Sequence, residues 1–288
     1  MAASFDVIVC GSLHLDIVVQ SPDIPRIDET VVGSAWQQVC GGKGGNQAVQ
    51  AAAAGAKTAM ISRVGKDGFA DTLLQNLKSS NVNTDAITID PVAGSGMSVA
   101  ILMNDGDYGA VIVSGSNLKI DPASLATEWH KLGGANVLVV QNEVPHAVNV
   151  AAALAAKASG AIVVFNAAPV REVGQDLLSL VDVLIVNRVE AEGMSGVAVH
   201  NRTSAIAALP ALGKLAKSIV VTLGGEGLVV SDAGEAVEIA AQAVKVVSTH
   251  GAGDCFVGTL AQRLSLGMSL VEACRAANLR AAEFVSGH

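Results

Sequence analysis

Between an apolar run at 243–247 (AVKVV) and the helical stretch CFVGTLAQRL lies Ser248-Thr249-His250-Gly251-Ala252-Gly253-Asp254. Small residues let a backbone approach a ligand closely, and the free N–H groups at a helix start, aided by the helix dipole, favour an anion. The segment therefore reads as a hole the size of a phosphate. Asp254 falls in the first turn of the helix, ionised near neutral pH at an ordinary pKa of about 3.9, and is placed to take a proton from an attacking alcohol. In isolation, Gly-Ala-Gly-Asp would only turn the chain and cap a helix. A β-branched side chain at Gly253 is expected to obstruct the hole and to demand a backbone angle closed to it.

A second glycine-rich segment, Gly41-Gly42-Lys43-Gly44-Gly45-Asn46-Gln47, also precedes a helix. Its flexibility would let backbone N–H groups, Lys43 and Asn46 face a polyhydroxylated ligand. It is not a Walker loop, because Gly44 follows the lysine where Ser or Thr is required. No GxGxxG turn follows the first strand either, which weakens a dehydrogenase reading. Taken alone, Lys43 would be a surface charge and Glu143 an exposed loop carboxylate.

The elements that must position these groups are legible as short Val/Ile-rich runs between Ala-rich helical segments. Strands are predicted at 5–10, 58–64, 137–141, 161–166, 183–187 and 219–223, and helices at 45–54, 68–79, 121–132, 147–158, 203–217, 255–266 and 270–285. Continuous apolar runs separated by helices imply strands buried on both faces, hence a mainly parallel sheet in an open α/β sandwich. Ligands of such sheets bind beyond the carboxyl ends of the strands. There the sequence sets Asn142 and Glu143, Asn166, Asn187 and Glu190, then Thr222 and Gly224, and four polar exits on successive strands point to one shared cleft. Two stretches, 15–39 and 97–114, break the alternation and read as strand, turn, strand, the second around Asn-Asp-Gly-Asp. They form a small sheet, a lid, over a main domain of 1–14, 40–96 and 115–288.

Composition bounds the rest. The chain has 288 residues, 51% of them hydrophobic, enough for one large α/β domain. Its formal charge of −8, with Lys and Arg scattered, disfavours nucleic acid and anionic membranes as partners. Cys10, Cys40, Cys255 and Cys274 lack zinc-site spacing and read as reduced thiols of a cytoplasmic protein. The N-terminus has no basic region followed by a long apolar stretch, and no apolar run reaches about 18 residues, so secretion and membrane spanning are not expected.

The segments GSLHLD (11–16), GGKGGNQA (41–48), GKDGFA (65–70), QNEVP (141–145), FNAAP (165–169), NRVEAE (187–192), TLGGEG (222–227) and STHGAGD (248–254) together resemble the ribokinase family of carbohydrate kinases over nearly the whole chain. The resemblance implies a Rossmann-like three-layer sandwich with a small β lid, ATP as donor and a sugar hydroxyl as acceptor, with D-ribose first among acceptors, then deoxyribose, another pentose or a nucleoside. It makes Asp254 the general base and Gly251, Ala252 and Gly253 the cradle of the transferring phosphoryl group. His14, Asp16, Gly42, Lys43, Asn46 and Glu143 would contact the sugar. Asn187, Thr222, Gly224, Gly227 and Asn278 fall on the nucleotide side, and Glu190 would hold Mg2+ through water. A homodimer formed through the lids is also implied.

The sequence departs from the family in three places. Ser248 stands where an aspartate associated with a monovalent-cation site is usual, which sets potassium activation in question. His14 replaces a common Asn. The chain also stops at His288, short of a usual further loop and helix, so a shortened chain or an incomplete nucleotide site is expected. Ser248 and the short end favour a rival reading, a sugar-binding sensor without turnover; Asp254, Glu190 and the intact Gly-Ala-Gly turn oppose it.

Overall fold

A computed structural model describes residues 3–103 and 107–287. The strands are β1 (Phe5–Cys10), β2 (His14–Ser21), β3 (Ala35–Gly41), β4 (Thr58–Gly65), β5 (Val82–Asp90), β6 (Gly96–Met103), β7 (Tyr108–Val113), β8 (Ala135–Gln141), β9 (Ile162–Asn166), β10 (Val183–Asn187), β11 (Ser218–Thr222), β12 (Leu228–Asp232) and β13 (Glu235–Ile239). The α-helices are α1 (Lys43–Ala53), α2 (Gly68–Ser79), α3 (Leu125–Leu132), α4 (His146–Ala158), α5 (Gln175–Leu178), α6 (Arg188–Ser195), α7 (Arg202–Leu212), α8 (Ala252–Ser265) and α9 (Leu270–Val285).

Nine strands form the central sheet in the order β13-β12-β11-β10-β9-β8-β1-β4-β5, parallel except where β12 pairs with its two neighbours. The Val/Ile runs are buried on both faces as their composition requires: Val7 and Val9 meet α1, α2, α8 and α9, while Ile8, Leu138 and Phe165 meet α3 to α7. This is a three-layer α/β sandwich. The chain leaves β1 toward β4 on one side and later returns through β8 on the other. That reversal is where crevices open in such sheets, and both glycine-rich segments arrive there.

β2, β3, β6 and β7 form a separate four-stranded sheet in the order β3-β2-β6-β7. One row runs Val39, Asp16, Ser98, Ile112; the next, on the opposite face, runs Gln38, Ile17, Val99, Val111. Of the expected Asn-Asp-Gly-Asp turn, residues 104–106 lie outside the described residues. The roots of the sheet are pinned to the main body by side chains. Asn117 grips Leu13 at both backbone groups (2.9 and 2.8 Å), and Asp67 accepts the Ser95 N–H and hydroxyl, each at 2.7 Å.

Three sequence expectations are revised. Residues 41–47 are not a flexible loop, because α1 begins at Lys43. Gly44 and Gly45 lie inside its first turn, where any Cβ would collide with the backbone of Gly11 and Ser12 or the side chain of Leu13. Glycine is there for close packing rather than for mobility. The helix expected at 121–132 begins as a 3-10 turn at Pro122–Ser124, and that at 203–217 ends at Leu212. Finally β5, α6 and the β12–β13 hairpin, which turns through Ala233 (φ 49°) and Gly234 (φ 88°), are additional to the predicted elements.

Candidate active site

The first turn of α1 is the hub of the site. Gly42 caps it without a side chain, so the helix N–H groups find partners elsewhere: Lys43 N–H donates to Glu143 Oε2 (2.8 Å) and Gly45 N–H to the Ser12 carbonyl (2.9 Å). Ser12 Oγ donates to the same Glu143 oxygen at 2.5 Å, and His14 Nδ1 stands 3.9 Å from it. His14 is buried, and among the described residues its Nε2 has no partner. Asp16 accepts the Ser98 hydroxyl at 2.5 Å and lies over Gly41, where a Cβ would strike its carboxylate.

Two residues further along the same turn reach across to α8. Asn46 Nδ2 donates to Asp254 Oδ2 (3.0 Å) and Gln47 Nε2 to Asp254 Oδ1 (2.9 Å). The sequence separates these partners by more than two hundred residues. Asp254 is 9% exposed. Burial pushes its carboxyl above the ordinary value; Lys43, Asn46 and Gln47 oppose this, and Glu143 adds to it. Burial also pushes up the adjacent Cys255 thiol, leaving the carboxylate as the stronger candidate for a base.

Asp254 opens into a cleft lined by Lys43, Asn166, Asn187, Glu190, Thr222 and Gly253. Three of the four polar strand exits therefore converge. The fourth does so only in part: Asn142 is spent holding the Ala167 and Pro169 carbonyls (3.2 and 3.0 Å), which leaves Glu143 projecting beside Ser12.

The Gly-Ala-Gly turn divides its work differently from the expectation. Gly251 caps α8 at φ 78°, a conformation that favours glycine, whereas Gly253 is within the helix and needs no unusual angle. A Cβ at Gly253 would meet nothing within 4 Å. Among the described residues, no acceptor is present for the N–H of Gly253 or Asp254. Bare N–H groups at a helix start, facing open space, fit a phosphate oxygen.

Asn187 and Glu190 have a structural duty as well. They form a capping box: Asn187 Oδ1 accepts Glu190 N–H (3.0 Å), and Glu190 accepts the Asn187 N–H and Nδ2, each at 2.8 Å. Glu190 is buried, its carboxyl pushed up by burial against the pull of Asn187 and Lys43. Among the described residues, no three His, Cys, Asp or Glu side chains gather as a metal cage. A single buried carboxylate on the cleft wall fits a Mg2+ ligated mainly by water and phosphate oxygens.

The remaining residues lie apart from the cleft wall. Gly224 and Gly227 shape the turn after β11, Gly227 at φ 90° beneath Ile239 and Ala241. Asn278 ties α9 to the Ala240 carbonyl (2.8 Å). Ser248 is exposed, its Oγ accepting the His250 N–H at 3.3 Å. Gln47, Ser12 and Ser98 escaped the sequence reading. Ser12 falls within GSLHLD and Gln47 within GGKGGNQA, so the motifs contained them without assigning them work.

Residues 4–288 match the family described as pfkB family carbohydrate kinase. The chain belongs to the pfkB family of carbohydrate kinases. It is 36% identical to mouse ribokinase over 282 residues, 96% of this chain and 87% of that one, and 31% identical to the deoxyribokinase of Salmonella typhimurium over 284 residues, 98% and 93% of the two. The structure of Arabidopsis thaliana ribokinase complexed with ribose and ATP superposes with a TM-score of 0.90 at 27% identity, covering 99% of this chain and 93% of that one. As a pfkB-family carbohydrate kinase, the chain carries its open helix start and its buried aspartate side by side.

Proposed function

We propose that the protein phosphorylates a sugar hydroxyl at the expense of ATP, with D-ribose as the preferred acceptor. The observation that carries this reading is the juxtaposition of a carboxylate poised to accept a proton, Asp254, with the unpartnered N–H groups of Gly253 and Asp254 on one cleft. The acceptor lies toward His14, Asp16, Gly42, Lys43, Asn46 and Glu143, which offer acceptors and donors in fixed directions to several hydroxyls. The nucleotide lies toward Asn187, Thr222, Gly224, Gly227 and Asn278.

Asp254 takes the acceptor's hydroxyl proton as its oxygen bonds to the γ-phosphorus and the bond to the leaving diphosphate breaks. The N–H groups of Gly253 and Asp254 hold the oxygens of the moving group, Gly251 and Ala252 only shape the turn because the Ala252 N–H is taken by the Thr249 carbonyl (3.2 Å), and Lys43 offsets the charge. Mg2+, held near Glu190 through water, would supply further charge neutralisation. The small sheet, 15–39 and 97–114, closes over the acceptor as a lid. Incubation with ATP and a panel of pentoses, deoxyribose and nucleosides tests the reading: ribose phosphate should form fastest. Sugar binding without any phosphorylated product would overturn it in favour of a sensor.

The outer rows of the small sheet support a second copy of this chain as partner. Trp36 and Val111 are 67% and 68% exposed on the face that also carries Ile17, Val19 and Val99. Sedimentation should give a dimer that Trp36→Asp converts to monomer.

A further inference from the structure

Gln47 stands outside the sugar, nucleotide and metal sets. It is wholly buried, while its neighbour Asn46 is half-buried, and the two amides take one oxygen each of Asp254. A carboxylate only accepts, so each amide must turn its NH2 toward it. This orientation leaves Gln47 Oε1 buried without a partner among the described residues. An orphaned buried acceptor is unfavourable, and a Met or Leu of similar size would fill the same space without it. Space filling therefore does not account for an amide at this position.

We infer that Gln47 is a positioning residue for phosphoryl transfer: it fixes Asp254 Oδ1 from the protein interior, so that Oδ2, on the Asn46 side, is the oxygen that receives the acceptor's proton. The proton passes to Oδ2, the acceptor oxygen forms the new O–P bond, and the P–O bond to the leaving nucleoside diphosphate breaks. Gln47 never touches substrate, since it is absent from the cleft wall that Asp254 helps to form. The charged and titratable groups facing Asp254 are Lys43 from α1, Glu143 from the loop after β8, Glu190 from α6 across the cleft, and Cys255 in α8. Among the described residues, Lys43 is the cation that acts on Asp254, and it lies on the cleft wall. Gln47 is thus the donor that remains when substrate competes for Lys43 and Asn46.

The kinetic part of this inference rests on the phosphotransfer reading above, and the structural part does not. Two variants test it: Gln47→Met, which deletes the donor at similar length, and Gln47→Glu, which keeps the shape and adds a second acid. The Asp254 carboxyl is followed by carbon NMR of protein labelled at aspartate carboxyls, its signal assigned by its loss in Asp254→Asn. Loss of one buried hydrogen bond should move its titration up by roughly one pH unit in Gln47→Met, and further in Gln47→Glu. With ribose and ATP, kcat on the acid side of that titration should fall about tenfold and recover as pH rises through it, with sugar KM within about twofold.

Titration and pH profiles like the wild type's, in variants that melt like the wild type, would overturn the assignment and leave Gln47 a packing residue. If Gln47→Met fails to fold, Gln47→Glu gives the answer. If the wild type makes no sugar phosphate, the proposed function falls, and the carboxyl titration still decides whether Gln47 holds Asp254.

Discussion

Asp67 and Asp254 are both aspartates at the start of a helix, and their surroundings drive them in opposite directions. Asp67 caps α2 and accepts the Ala70 N–H (2.9 Å) together with the Ser95 N–H and hydroxyl. Burial pushes its carboxyl up, but these bonds outweigh burial and hold it below the ordinary range. Asp254 is more deeply buried and, among the described residues, receives two side-chain amides but no backbone N–H, so burial prevails and its carboxyl is raised. A carboxylate saturated by backbone donors is a structural pin, and one left partly unsatisfied beside a cleft is the group proposed here as the reagent.

The largest expected effect breaks the reagent. Asp254→Asn should lower turnover by roughly 10²–10⁴ with little change in sugar affinity, checked by steady-state kinetics and sugar titration. The glycines beside it sharpen the contrast. Gly253→Ala should lower turnover by about tenfold or more, as its methyl enters the cleft, while leaving the fold as stable or more so. Gly251→Ala, at φ 78°, should instead cost about 1–2 kcal/mol of stability, read by denaturant unfolding. Asp67→Ala should cost about 1–2 kcal/mol without altering turnover per folded molecule.

The smallest effect distinguishes the two aspartates by pH. Asp67's folded value lies below its unfolded one of 3.8, so its contribution is present above 3.8 and is lost as pH falls through the folded value. Asp254's is raised, so its favourable contribution is complete below 3.8 and disappears as pH rises through the folded value. Asp254→Asn should therefore be more stable than the wild type at neutral pH and Asp67→Asn less so. Both differences should shrink toward zero in acid, which melting curves across pH would show.

Most of the α/β frame was legible because its signals are local. The apolar runs at 5–10 and 183–187 coincide with β1 and β10, and the helices at 68–79 and 270–285 with α2 and α9. β5 escaped because VNTDAITID is a polar-interrupted edge strand, and the β12–β13 hairpin because it breaks the strand-helix rhythm that signals a parallel sheet. The resemblance gives Asn187 to the nucleotide and Glu190 to Mg2+, although their spacing is equally a capping box that announces α6. In the site, residue types brought out the glycine-rich helix start and Asp254 within it. They could not reveal that Gly253 rather than Gly251 has open space before it, or that Gln47 grips Asp254, because both depend on how distant segments pack.

Asp16 and Ser98 share one row of the four-stranded sheet, while the amides that hold Asp254 belong to α1. On the roles proposed for Asp16 and Asp254, descendants of this gene can redraw the strand row and acquire a new acceptor while inheriting an unaltered engine. Substitutions in the first turn of α1 have no such freedom, because they strike rate and recognition together.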